Sequence, residues 1–139
     1  MTNIFKWNDD LGTGFGDIDL QHKKLILVIE EVNANLQKEG AEYTLGMSKA
    51  LKQLTDYTQY HFSEEESFMR KYAYPGFGQH RQKHAVFIEH VQEQIKILTF
   101  ANPGNGYQFY RFLGTWLISH IAKEDQQWAA FIKEETKKK

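Results

Sequence analysis

Apolar residues recur three, four and seven positions apart along most of this 139-residue chain, which is the pattern of helices that bury one face. Ile18, Leu25, Ile26, Ile29 and Leu36 form a first stripe. It predicts a helix over 18–38, capped by Asp17 or Asp19 and stopped at Gly40. A second helix is predicted over 44–72, with Met47, Leu51, Leu54, Thr58, His61, Glu65 and Phe68 on one face. After a turn at Tyr74-Pro75-Gly76, a third is predicted over 77–98, where Phe77, His80, His84, Phe87, Val91, Ile95 and Leu98 align. A loop from Thr99 to Gly106 leads to a fourth over 106–125, with Phe109, Leu113, Trp116 and His120 facing inward. No segment alternates like a strand. The economical architecture is a single all-α domain, an up-down-up-down antiparallel four-helix bundle. An N-terminal extended arm, 1–17, would pack Phe5, Trp7 and Phe15 on it, and 126–139 would form a C-terminal segment.

Each stripe is interrupted by residues that burial should penalise. His22 falls one turn after Ile18, and a buried neutral imidazole still needs partners for both nitrogens. Glu65 lies on a core stripe, where an ionised carboxylate is costly unless paired or metal-bound. His61 with Glu65, and His80 with His84, are four residues apart and so lie on one helix face. One such pair is ordinary on a helix surface. Two pairs facing each other across a turn, with His22 and His120 added, are not. Five of the six histidines point inward, while His90 falls off its stripe, and a metal cluster would resolve the burial cost of all five together. Glu124 and Asp125 follow His120 by four and five residues. Ideal helix geometry favours Glu124, since four residues rotate the side chain by about 40° and five by about 140°. Asp125 would need a loosened or bulged turn, and spacing alone leaves both open. Glu64 and Glu66 are expected to be solvated.

Composition narrows the chemistry. The absence of cysteine excludes disulfides, thiolate ligation and thiol catalysis, leaving histidine and carboxylate as the strong metal ligands. A formal charge of -1 and a sequence pI near 6.6 argue against a nucleic acid or anionic membrane partner. The longest apolar run, Leu25 to Ile29, is too short for membrane insertion, and the first residues lack the order of an export signal, so a cytoplasmic location is expected. Gly12, Gly14 and Gly16 lack nucleotide-loop spacing and read as turn formers. The basic run Lys137-Lys138-Lys139 suits a fraying helix end.

The set His22, His61 with Glu65, His80 with His84, and His120 with Asp125 resembles the seven-ligand di-iron signature of hemerythrins, above all the single-domain bacteriohemerythrins. Trp7 in the arm, Asp19-Leu20-Gln21-His22, His61-Phe62 and His120-Ile121 are similar to landmarks of that family, and the likeness spans nearly the whole chain. The resemblance, not the spacing, selects Asp125. It implies two iron ions, one held by His80, His84 and His120, the other by His22 and His61. Glu65, Asp125 and a solvent-derived oxo or hydroxo would bridge them, and one coordination position would stay open for O2. Leu25, Phe62, Trp116, Leu117 and Ile121 would wall the ligand pocket. Oxygen-activating di-iron bundles use a ligand set richer in glutamate; five imidazoles and two carboxylates favour reversible binding. The implied function is a non-enzymatic oxygen carrier for storage or delivery, with molecular oxygen as ligand and an oxygen-consuming enzyme as recipient. A sensor or interaction module responding to oxygen, redox state or nitric oxide ranks second, and a di-iron oxidoreductase third.

Overall fold

A computed structural model describes residues 4–98 and 103–137. Four helical rods, and no strand among the described residues, form the up-down-up-down bundle expected from the stripes. The helices are α1 (Gly16–Asn35), α2 (Gly40–Lys71), α3 (Phe77–Leu98) and α4 (Pro103–His120). A π turn, Ile121–Asp125, carries α4 straight into α5 (Gln126–Lys137), so α4 and α5 make one rod. Packing runs α1 on α2, α2 on α3, α3 on α4 and α4 back on α1, which closes a square. None of the described helices is long and apolar enough to cross a membrane.

Several predicted boundaries move. Helix α1 ends at Asn35 instead of Lys38, and Gly40 opens α2 instead of stopping α1. The reason is its φ of +56°, which lets the chain reverse and re-enter a helix within a few residues. The fourth helix begins at Pro103, three residues before the expected start, as suits a residue with no N–H to satisfy in a first turn. It does not end at 125: the predicted C-terminal segment is α5, which buries Trp128, Ala129 and Ile132. Lys138 and Lys139 lie outside the described residues, as do residues 99–102 of the predicted Thr99–Gly106 loop, and residues 103–106 are the first turn of α4. Neither Asp17 nor Asp19 caps α1; Phe15 holds the cap position without a side-chain bond. Asp19 instead accepts hydrogen bonds from the backbone N–H and the hydroxyl of Thr13, both at 2.8 Å. It thereby ties the arm to the bundle. The arm is not extended throughout, since Asp9–Leu11 form a 3-10 turn.

Farther along the arm, Phe5 packs edge-on to Tyr110 and its N–H donates to Glu30 Oε1 at 3.1 Å. Tyr110 donates its phenol to the same buried carboxylate, and burial together with Glu30 pushes that phenol up to about 12. The Phe5 ring lies where a Cβ on Gly114 would fall. Gly114→Ala is therefore expected to displace Phe5 and destabilise the fold by about 1–3 kcal/mol, the usual cost of overpacking, without changing metal content. Urea denaturation and metal analysis on the same preparation check both halves.

Apolar packing divides into two clusters. The larger contains Leu25, Leu54, Phe62, Phe87, Leu113 and Ile121, and the smaller contains Ile18, Met69, Trp128 and Ile132, with Phe68 and Phe77 packed against it. On every rod the interrupting polar residues fall between one cluster and the other. A buried polar layer is thus sealed above and below by hydrocarbon.

Candidate metal centre

The polar layer draws one or two side chains from each rod. His22 comes from α1, His61 and Glu65 from α2, His80 and His84 from α3, His120 from the end of α4 and Asp125 from the π turn. All seven are at most 4% exposed. The sequence-predicted set is therefore brought together in full. Asp125 reaches the layer because the π turn slows the rotation per residue, so that the fifth residue after His120 faces where the fourth would in an α-helix. Trp128, one turn on, donates its indole N–H to Asp125 Oδ1 at 3.1 Å and fixes the carboxylate. Glu124 is left at the rim, where it pairs with Lys83.

The two carboxylates divide their oxygens between two groups of histidines. Glu65 Oε1 lies 2.8 Å from His80 Nε2 and 3.2 Å from His84 Nε2, while its Oε2 lies 3.3 Å from His22 and 3.1 Å from His61. Asp125 does the same: Oδ1 is 3.2 Å from His80 and 3.3 Å from His120, and Oδ2 is 3.1 Å from His22. Each carboxylate spans both groups with one oxygen apiece. The layer is two adjoining donor sets, three histidines on one side and two on the other.

Charge and tautomer show what this layer is built to hold. Burial alone would push both carboxyls up, yet the surrounding imidazoles keep Glu65 well below its ordinary value, and Asp125 is depressed as well. Burial opposes charging of His22 and His120, but Asp125 and Glu65 override it and raise both to about 9; His80 is also raised. His61 goes the other way, burial holding it low. On the outside, His61 Nδ1 donates to Gln21 Oε1 at 2.7 Å and His84 Nδ1 donates to Glu66 Oε2 at 2.9 Å. With the protons on Nδ1, both Nε2 lone pairs point into the layer. The Nε2 atoms of His84 and His120 are 3.1 Å apart, and those of His120 and His80 are 3.0 Å apart. Neutral imidazoles whose lone pairs converge this closely repel unless a cation or protons lie among them. Adjacent ligands on an octahedral ion with bonds of about 2.1 Å are about 3.0 Å apart, so the spacing fits a first-row metal. Asp125 Oδ2, buried and 3.1 Å from His22 Nε2 but without a well-directed hydrogen bond among the described residues, is a further donor that could face a cation. The residues present fit two cations.

Residues 13–132 match the hemerythrin HHE cation binding domain. The chain belongs to the hemerythrin family. Among its relatives is a bacteriohemerythrin of Stenotrophomonas maltophilia, 29% identical over 130 residues that cover 94% of this chain and 82% of the relative. A bacteriohemerythrin of Pseudomonas aeruginosa is 32% identical over 119 residues, covering 86% and 75%. A hemerythrin-like protein of Naegleria gruberi is 27% identical over 128 residues, covering 92% and 93%. As a hemerythrin-family member the chain is a cation-binding protein.

Around the hemerythrin layer, the five apolar residues singled out from sequence are not equivalent. Phe62 stacks face to face on His84 with centroids 3.7 Å apart, and Trp116 stacks on His120 at 4.5 Å. Both therefore hold rings of the three-histidine group. Leu25, Leu117 and Ile121 are buried in the larger apolar cluster. A cleft of about 640 Å³, lined by Lys83, Arg111, Phe112, Trp116, His120 and Glu124 among others, runs along the outside of this group. The sequence offered Gln21 only as part of a family landmark, without its role behind His61, and gave no role to Glu66, Trp128 or the Lys83–Glu124 pair. Trp128 had a signal in its one-turn spacing from Asp125. Glu66 had none: it was expected to be solvated, but its partner His84 lies on another helix, 18 residues away.

Proposed function

We propose that this hemerythrin-family chain holds two iron ions and binds O2 reversibly, as an oxygen store or carrier and not as an enzyme. The observation that carries this reading is the division of both carboxylates, each presenting one oxygen to the three-histidine group and the other to the two-histidine group. Carboxylates so placed suit a metal pair better than one ion. His80, His84 and His120 would hold one iron, His22 and His61 the other, with Glu65, Asp125 and an oxo or hydroxo bridging. Bound there, two ferrous ions supply the two electrons that reversible O2 binding draws on.

The protein's own part is to position and to exclude. Seven donors come from four rods whose packing fixes their separation, so the layer is organised before metal enters. Five neutral imidazoles against two carboxylates leave the metal pair electron-poor, which disfavours deep oxidation. The apolar clusters keep bulk water from both ends, and Phe62 and Trp116 screen the three-histidine side. A cytoplasmic oxygen-consuming enzyme is the proposed recipient.

The test is optical. Anaerobic ferrous protein is expected to gain a visible band on exposure to O2, with one O2 taken up per two irons, and to lose it on degassing over repeated cycles. Irreversible oxidation in the first cycle, or continuous O2 consumption with a reductant, would overturn the carrier reading.

A further inference from the structure

The outward nitrogens of the ligand histidines meet unequal partners. Behind His84 stands Glu66, whose Oε2 accepts the Nδ1 proton at 2.9 Å and whose Oε1 lies 4.0 Å from Arg81 Nε. Behind His61, at 2.7 Å, stands the neutral amide oxygen of Gln21. Behind His22, Nδ1 has no hydrogen-bond partner among the described residues. Glu124 lies 3.8 Å from His120 Nδ1, too far for a hydrogen bond, and is engaged by Lys83. Among the described residues, Glu66 is thus a carboxylate that accepts a hydrogen bond directly from the outward nitrogen of a ligand ring, and it does so on the three-histidine side.

A carboxylate that accepts Nδ1–H fixes the tautomer and passes electron density through the ring, making Nε2 the stronger donor. A neutral amide fixes the tautomer without adding charge. We propose that Glu66 is a positioning residue that makes the three-histidine group the tighter of the two cation sites and the first to fill. Its side chain touches no cation; it acts through His84. Residue 66 and residue 21 then set the difference between the two sites independently of the inner ligands. The inference rests on the two-cation reading above but not on oxygen binding.

Titrating the metal-free full chain with Co2+ tests it, by calorimetry for the stepwise affinities and by proton NMR for the paramagnetically shifted ring N–H signals. In the native chain, the first equivalent is expected to shift the His84 Nδ1–H signal. Glu66→Gln keeps the shape and removes the charge; it should weaken the first step about tenfold or more, within the range for losing an outer partner, leave the second within about twofold, and move the His84 signal. Gln21→Glu should strengthen the second step and narrow the gap, a gain that a damaged fold does not produce. The proposal is overturned if Glu66→Gln leaves both steps unchanged or weakens them equally, or if His22 and His61 signals shift first. Co2+ occupancy is read without O2, so a failure of iron-loaded protein to bind O2 leaves this result standing. Uptake of only one Co2+ per chain would sink both this inference and the two-cation reading.

Discussion

Asp125→Ala is expected to strip the protein of most of its metal, whereas Glu124→Ala, one residue away, is expected to leave metal content nearly unchanged. Asp125 faces His22 with one oxygen and His80 and His120 with the other. Its loss removes a donor from both groups and leaves the inner histidines beside a single carboxylate. An outer partner is worth about 10–100-fold in metal affinity, and the loss of a carboxylate that faces both histidine groups from inside should exceed that. Glu124 contacts Lys83 and sits 3.8 Å from the outer nitrogen of His120, so its removal touches only the rim. Metal per chain after dialysis, measured on both variants beside the native protein, decides the matter. Should Glu124→Ala lose its metal while Asp125→Ala keeps it, the assignment of inner ligand and rim residue is reversed.

That contrast also marks how far the chain's own pattern reaches. The four rods were legible because each buries a stripe at helical spacing, and His22, His61, Glu65, His80, His84 and His120 were legible because each breaks a stripe at a position that packing would give to hydrocarbon. Glu65 was the plainest, since a carboxylate on an otherwise apolar helix stripe has few other physical justifications. Asp125 was different in kind. A regular helix turns it away, and the turn that brings it inward is a backbone feature with no residue signature of its own; likeness to a known family, not geometry, selected it. Glu66 could not be seen at all, because whether a carboxylate at a helix edge meets water or a histidine of the next rod depends on inter-helix distance. The misplaced boundary at Gly40 has the same origin. Glycine announces a change of direction, but not whether the chain is leaving one helix or entering another.

Stability and pH should be coupled with opposite signs in the metal-free and metal-loaded proteins. Without metal, His22 and His120 titrate near 9 in the fold against about 6.5 when unfolded. Groups raised on folding contribute stability that is full below about pH 6.5 and is lost as pH climbs through 9. The rise is worth roughly 3 kcal/mol for one histidine; the two do not simply add, because both lean on Glu65 and Asp125. The depressed carboxyls act at the other end, contributing above their unfolded values near 4 and losing that contribution in strong acid. The metal-free protein should therefore melt highest at about pH 5–6.5, and its Tm should fall steadily toward pH 9. With metal, the same histidines must give up their protons to bind, so raising pH tightens binding and acid releases the ions. The gap in Tm between the two forms should widen from pH 6 to pH 9. Differential scanning calorimetry of both forms across that range gives the answer, and a metal-free Tm that rises with pH would show that these histidines do not carry the charge assigned to them. His90, exposed and stacked on Phe112, supplies the control: His90→Asn should leave both curves in place.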